Sequence, residues 1–191
     1  MRPPDLLRLF VRPLHEAGWR YLITGSVGST LYGEARLTMD VDLAVAVSEE
    51  QVENLHEIFP ENDFYVPPAE VLRSENIRPR GHWNVIHARS GLKADFYPAQ
   101  QDPWFLWAWD RRQESPLDAG KIYYAPPEYV LAWKVRWYSE GHGEKHVRDV
   151  LRICEVSGRR IDETLLKMTL EPLGLWSTFE RMKTGGVRGK S

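Results

Sequence analysis

The sequence predicts an α/β (α+β) fold, with a mixed β-sheet core and flanking helices over residues 1–100 and a helical region over 101–191. Three observations carry this. Residues 40–47, DVDLAVAV, read as the clearest strand, with Asp40 and Asp42 on one face and Val41, Leu43 and Val45 on the other. Shorter β-prone runs recur at 20–24, 83–88 and 92–97, between stretches of helical spacing. Past residue 102 the apolar spacing becomes helical, and six of the eight tryptophans fall after residue 100.

Leu6, Leu7, Phe10, Val11 and Leu14 recur at helical spacing, so a helix is predicted over 4–17, ended by Gly18 and marked by a kink at Pro13. RYLIT (20–24) is a strand stopped by Gly25, and Ser26 is read as the cap of a short helix running to Tyr32. Ser48 and Gln51 form a capping box for a helix through Phe59. Residues 60–80 give one short strand (63–66) and one short helix. The runs 83–88 and 92–97 are joined by Arg-Ser-Gly as a hairpin. Helices follow at 102–112, 127–138 and 144–156, with two weaker ones after Ile161. The closing RMKTGGVRGKS, four basic residues and three glycines, reads as a loose basic tail, most clearly over 184–191.

The net charge of -2 argues against a general basic coat for nucleic acid. It conceals an asymmetry, because residues 1–100 carry 10 basic and 14 acidic side chains and residues 101–191 carry 15 and 13. The single cysteine, Cys154, excludes an internal disulfide and Cys-based zinc or iron–sulfur sites within one chain. No signal-peptide or membrane-spanning stretch is present, so a cytoplasmic protein with no membrane partner is expected.

Asp40 and Asp42 stand at i and i+2, which places both carboxylates on one strand face roughly 6–7 Å apart. Adjacent like charges are unfavourable unless something neutralises them. Hard oxygen donors at this spacing suit Mg²⁺ or Mn²⁺, whereas the plainer alternative is a solvated strand edge. Two further features favour the metal. Gly25-Ser26 sits between a strand and a helix start, where backbone and hydroxyl donors receive an anion. Asp95 lies mid-strand in LKADFY, on one face with Lys93 and Tyr97, a face that is either exposed or part of the same site. Together the turn, the paired aspartates and the third strand aspartate describe a two-metal phosphoryl-transfer site.

TGSVGSTLYGEARLTMDVDLAV, with a later strand carboxylate, resembles the signature of the DNA polymerase beta-like nucleotidyltransferase superfamily. The resemblance covers residues 20–97, and thirteen residues separate Ser26 from Asp40, toward the long end for that superfamily. It implies that Gly25 and Ser26 hold a nucleotide's triphosphate and that Asp40, Asp42 and Asp95 ligate Mg²⁺ or Mn²⁺, with Asp95 helping to deprotonate the acceptor hydroxyl. Arg36 and Thr38 match the Arg-x-Thr-x-Asp-x-Asp pattern of its small bacterial members and imply nucleotide contacts. The helical half is similar to the AbiEii-like branch. There a Pro-Glu opening (Pro127-Glu128) leads to a nucleotide-binding lysine (Lys134) and an Arg-Asp pair (Arg148-Asp149), which makes Asp149 a further candidate. Lys134 as a solvated lysine, and Asp149 paired with Lys145, are the structural alternatives.

Other signals point elsewhere. His142 and His146 lack the His-Glu-x-x-His pattern of a zinc site, and Arg136-x₅-His142 matches a short ribonuclease pattern. Trp104 and Trp107 share a helical face suited to packing between lobes or to stacking a base. Cys154 falls on an apolar helical face as a core residue. Residues 134–160 hold seven basic and four acidic side chains, a modest basic surface.

The sequence is therefore read as a metal-dependent nucleotidyltransferase, an ATP- or other NTP-binding enzyme that moves an NMP to an acceptor hydroxyl. RNA (a tRNA end included), a cognate protein and a small molecule all fit as acceptor, and the resemblance places such a chain in a toxin–antitoxin or phage-defence setting. The alternative is a non-catalytic nucleotide-, RNA- or partner-binding module that keeps the fold.

Overall fold

The computed structural model describes residues 5–33, 37–118, 120–141 and 143–185. The N-terminal helix is broken in two: a wide π-type turn over Leu7–Val11 runs into α1 (Arg12–Glu16). Pro13 explains the irregularity, since it has no N–H and its ring crowds the carbonyl of Leu9. Then come β1 (Tyr21–Thr24), α2 (Gly25–Tyr32) and β2 (Asp40–Val45). The capping box at Ser48 and Gln51 forms as predicted. The helix it starts is interrupted at Asn54, giving α3 (Glu49–Glu53) and α4 (Leu55–Ile58). Next are β3 (Phe64–Tyr65), α5 (Ala69–Ile77), β4 (Trp83–His87) and β5 (Lys93–Pro98), the last two paired as the predicted hairpin.

The stretch read as purely helical departs from expectation. After α6 (Pro103–Asp110), capped by Asp102, the chain forms a second hairpin, β6 (Gln113–Leu117) and β7 (Gly120–Tyr124), before α7 (Pro127–Ser139) and α8 (Lys145–Ser157). The strand signal is weak there because β6 carries Glu114 and Pro116, residues suited only to an edge. α9 (Glu163–Leu170) and α10 (Trp176–Lys183) close the fold. The predicted tail begins later than its composition suggests: Arg181, Met182 and Lys183 belong to α10, and Met182 is fully buried. Residues 186–191 lie outside the described residues.

The seven strands make one sheet in the order β3-β4-β5-β2-β1-β7-β6. β2 runs parallel to β5, and β1 parallel to β7, while the other neighbours are antiparallel. One face packs Val41, Leu43, Val45, Ala94 and Phe96 against the N-terminal helix and α3, with no solvent exposure of any of the five. The other face meets α2, α7 and α8 through Leu22, Ala44, Val130, Val135 and Val150. Asp40 and Asp42 share the parity of Ala44, so the period of two sends both carboxylates toward these helices. Trp104 and Trp107 on α6 pack on Trp133 and Tyr129 of α7, the packing role anticipated for them. Cys154 is partly buried beside the second core, its thiol pushed up to about 11 by burial, so it is a poor nucleophile.

Candidate active site

The two central parallel strands build the site. Their register sets Asp42 beside Asp95 and Asp40 beside Lys93. On the other side of β2, Thr24 of β1 faces Asp42, and the chain turns directly into α2. Gly25 takes φ +59 at that turn, and a Cβ placed on it would lie 1.8 Å from Asp42 Oδ2. Only glycine fits. α2 starts two residues earlier than predicted: Thr24 is its cap residue, so Ser26 lies within the first turn and is not the cap. Its backbone N–H instead donates to the Asp42 carboxylate.

These groups open into a cleft of about 470 Å³, walled on the sheet side by Gly25, Ser26, Asp40, Asp42 and Asp95. Lys134 and Trp137 of α7 and Lys145 and His146 of α8 form the opposite wall. Lys134 is 1% exposed, and its Nζ lies 2.6 Å from Asp149 Oδ2, joining α7 to α8. The solvated-lysine alternative is thereby set aside. Thr38 stands just before β2 and donates from its hydroxyl to Asp40 Oδ1, so it orients that carboxylate. Arg36 and His142 lie outside the described residues, and the Arg136–His142 pattern with them.

Asp95 is 4% exposed, and both of its oxygens are engaged. His82 Nε2 lies 3.2 Å from Oδ1, and Lys93 Nζ lies 2.6 Å from Oδ2. Burial pushes the Asp95 carboxyl up, but the bonds from His82 and Lys93 and the Lys93 charge outweigh it and hold the group below the usual aspartate range. Asp42 behaves oppositely. Burial first, then the charges of Asp40 and Asp95, raise it above that range. Tyr97 donates to Asp42 Oδ1 at 3.3 Å, and burial together with the nearby carboxylates keeps its phenol protonated.

His82 was not singled out in the sequence. It sits in the turn before β4, where a lone histidine carries no pattern. The signal was the hairpin register: Asn84 opposes Asp95, so the residue two positions earlier on the same face approaches that carboxylate. Trp137 was likewise visible only as a helix residue, and His146 only as the second member of a histidine pair lacking a zinc motif. Their rings lie 5.7 Å apart, and Trp137 meets Tyr97 at 5.6 Å, forming one aromatic side of the cleft.

An antigenic nucleotidyltransferase-like protein from Paracoccidioides brasiliensis is similar in structure over 91% of this chain and 90% of its own, with a TM-score of 0.53 and 18% identity. The antibiotic-resistance factor ANT(2'')-Ia is similar over 95% of this chain and 89% of its own, with a TM-score of 0.55 and 13% identity. The fold is nucleotidyltransferase-like. No family model matches the sequence, and no curated protein matches it either. The AbiEii-like branch therefore stays at the level of sequence resemblance.

A nucleotidyltransferase-like fold implies a divalent cation, and the donors here suit one. Asp40 and Asp42 present carboxylates, hard oxygen donors, on a single face. Among the described residues, however, no three carboxylate, imidazole or thiol side chains converge as a ready metal-binding group. No helix among them is long and apolar enough to cross a membrane.

Proposed function

We propose that the chain is a divalent-cation-dependent nucleotidyltransferase that transfers an NMP from an NTP to an acceptor hydroxyl, releasing pyrophosphate. The observation that carries this reading is the register of Asp42 with Asp95, set directly beside the Gly25-Ser26 turn in one cleft. Asp40 and Asp42 would hold the cation on their shared face, with Asp95 as the neighbouring carboxylate. When bound, Mg²⁺ or Mn²⁺ supplies charge neutralisation for the triphosphate and the leaving group.

The protein's own groups do the rest. Gly25 and Ser26, at the first turn of α2, line the cleft, where a phosphate would meet the N-terminal end of that helix. Lys134, held by Asp149, presents a fixed ammonium on the opposite wall, so phosphate charge is met from two sides. Thr38 keeps Asp40 in one orientation. Tyr97 and Trp137 offer ring surfaces along one side of the cleft, suited to a nucleobase.

Incubation of the purified protein with each α-labelled NTP and Mg²⁺ in cell extract tests the reading, followed by location of the label in RNA, protein or small molecules. The reading expects label transfer that is lost in Asp40→Asn and Asp42→Asn; transfer undiminished in both variants would overturn it. A second reading, a non-catalytic nucleotide-binding module, is favoured by the engagement of both Asp95 oxygens. It expects NTP binding with no label transferred under any of these conditions.

A further inference from the structure

We infer that Lys93 is a built-in cation of the site, so that the cleft takes one divalent ion on Asp40 and Asp42 while the Lys93 ammonium occupies the place of a second. This deepens the proposed nucleotidyl transfer and rests on it. The parallel register puts Lys93 directly beside Asp40, and the period of two puts it on the same face as Asp95. Its Nζ lies 2.6 Å from Asp95 Oδ2 and 4.0 Å from Asp40 Oδ2, between carboxylates of two strands.

Asp95 is placed to hold that ammonium. One oxygen receives Lys93, and the other lies against His82, whose own backbone N–H donates to Glu75 at 2.8 Å. The His82 turn is thus anchored before its ring reaches the cleft. Both oxygens of Asp95 are engaged by Lys93 and His82, whereas the hydrogen bonds described for Asp40 and Asp42 come from the neutral donors Thr38, Tyr97 and Ser26.

Charge balance agrees. Three carboxylates and one ammonium leave two negative charges, the charge of a single divalent ion. Lys134, paired with Asp149, and Lys145 stand on the opposite wall, where they would face the triphosphate rather than the metal. An ammonium also differs from a metal in kind: it donates hydrogen bonds to phosphate oxygens without a fixed coordination number and is never lost to chelators. Lys93 is therefore placed as a catalytic residue that would touch the triphosphate.

The test counts Mn²⁺ by paramagnetic resonance in the complex of the full-length protein with an equimolar non-hydrolysable NTP analogue, each base in turn. The expected counts are one Mn²⁺ per chain for the wild type, two for Lys93→Ala and one for Lys93→Arg, which keeps the charge. Circular dichroism establishes that the variants are folded, and Lys93→Met serves where Lys93→Ala does not fold. Two Mn²⁺ in the wild type, or one in both the wild type and Lys93→Ala, would overturn the inference and leave the proposed transfer intact. Retention of the wild-type ion by Asp42→Asn would instead remove the reading of the site on which the inference stands.

Discussion

Gly25 and Asp42 compete for one volume: a methyl group on the glycine would fall 1.8 Å from the carboxylate oxygen. The turn from β1 into α2 and the carboxylate of β2 are thereby one unit. Gly25→Ala should displace Asp42 and add the strain of a left-handed backbone, costing about 1–3 kcal/mol and abolishing NTP binding. Gly91→Ala is the control, at φ +69 in open space, and should cost only about 1 kcal/mol with nucleotide binding retained. Denaturant unfolding and nucleotide titration of the two variants make the comparison.

Asp42→Asn should separate stability from activity. Burial and two neighbouring carboxylates disfavour the charge at this position, so removing it relieves the fold. A melting midpoint raised by about 2–4 °C is expected, the scale of roughly 1 kcal/mol in a chain of this size. Transfer activity should fall at least ~100-fold. An unchanged or lowered midpoint would contradict the electrostatic account.

Lys134 and Asp149 should be strongly coupled. Asp149→Ala takes away the carboxylate 2.6 Å from a buried ammonium and is expected to cost about 3 kcal/mol. Lys134→Met combined with Asp149→Leu should recover most of that loss in stability while nucleotide affinity stays low. A double-mutant cycle by urea unfolding measures the coupling, and additive single effects would show the pair to be independent.

Asp102 provides a pH signature away from the cleft. It caps α6 by accepting the Trp104 N–H at 2.9 Å and accepts the Tyr129 hydroxyl at 2.8 Å. Burial nonetheless raises its carboxyl above 3.8, despite these bonds. The folded state therefore holds this proton more tightly than the unfolded chain. The stabilisation is full below 3.8 and is lost as pH rises through the folded value. Asp102→Asn keeps the Trp104 N–H on its Oδ1 and reverses the second contact, its Nδ2 donating to the Tyr129 hydroxyl oxygen, and should gain stability relative to the wild type between pH 3.5 and 7. Asp102→Ala loses the cap and should cost about 1–2 kcal/mol throughout.

The legible parts of the molecule were those written in local pattern. Alternation placed Asp40 and Asp42 on one strand face, and the capping box placed the start of α3. What escaped depended on residues far apart in sequence. β7 pairs with β1 through Ile23 and Tyr124, and nothing in either run announces the other. His82 reaches Asp95 only through hairpin register, and Lys134 meets Asp149 only once α7 and α8 cross. The face shared by Lys93, Asp95 and Tyr97 could be read from the period of two, but its burial comes from helices that follow much later in the chain.

The parallel pairing of β1 with β7 also governs how the molecule comes into being. When the ribosome has released the first hundred residues, β1 still has one bare edge, and the sheet face bearing Leu22 and Ala44 has yet to receive α7 and α8. A nascent chain at that stage exposes both an unpaired strand and an apolar surface, the two features that invite premature association. Catalytic competence would arrive last, with the synthesis of α8, so a truncated translation product would carry all three aspartates and still lack a finished cleft.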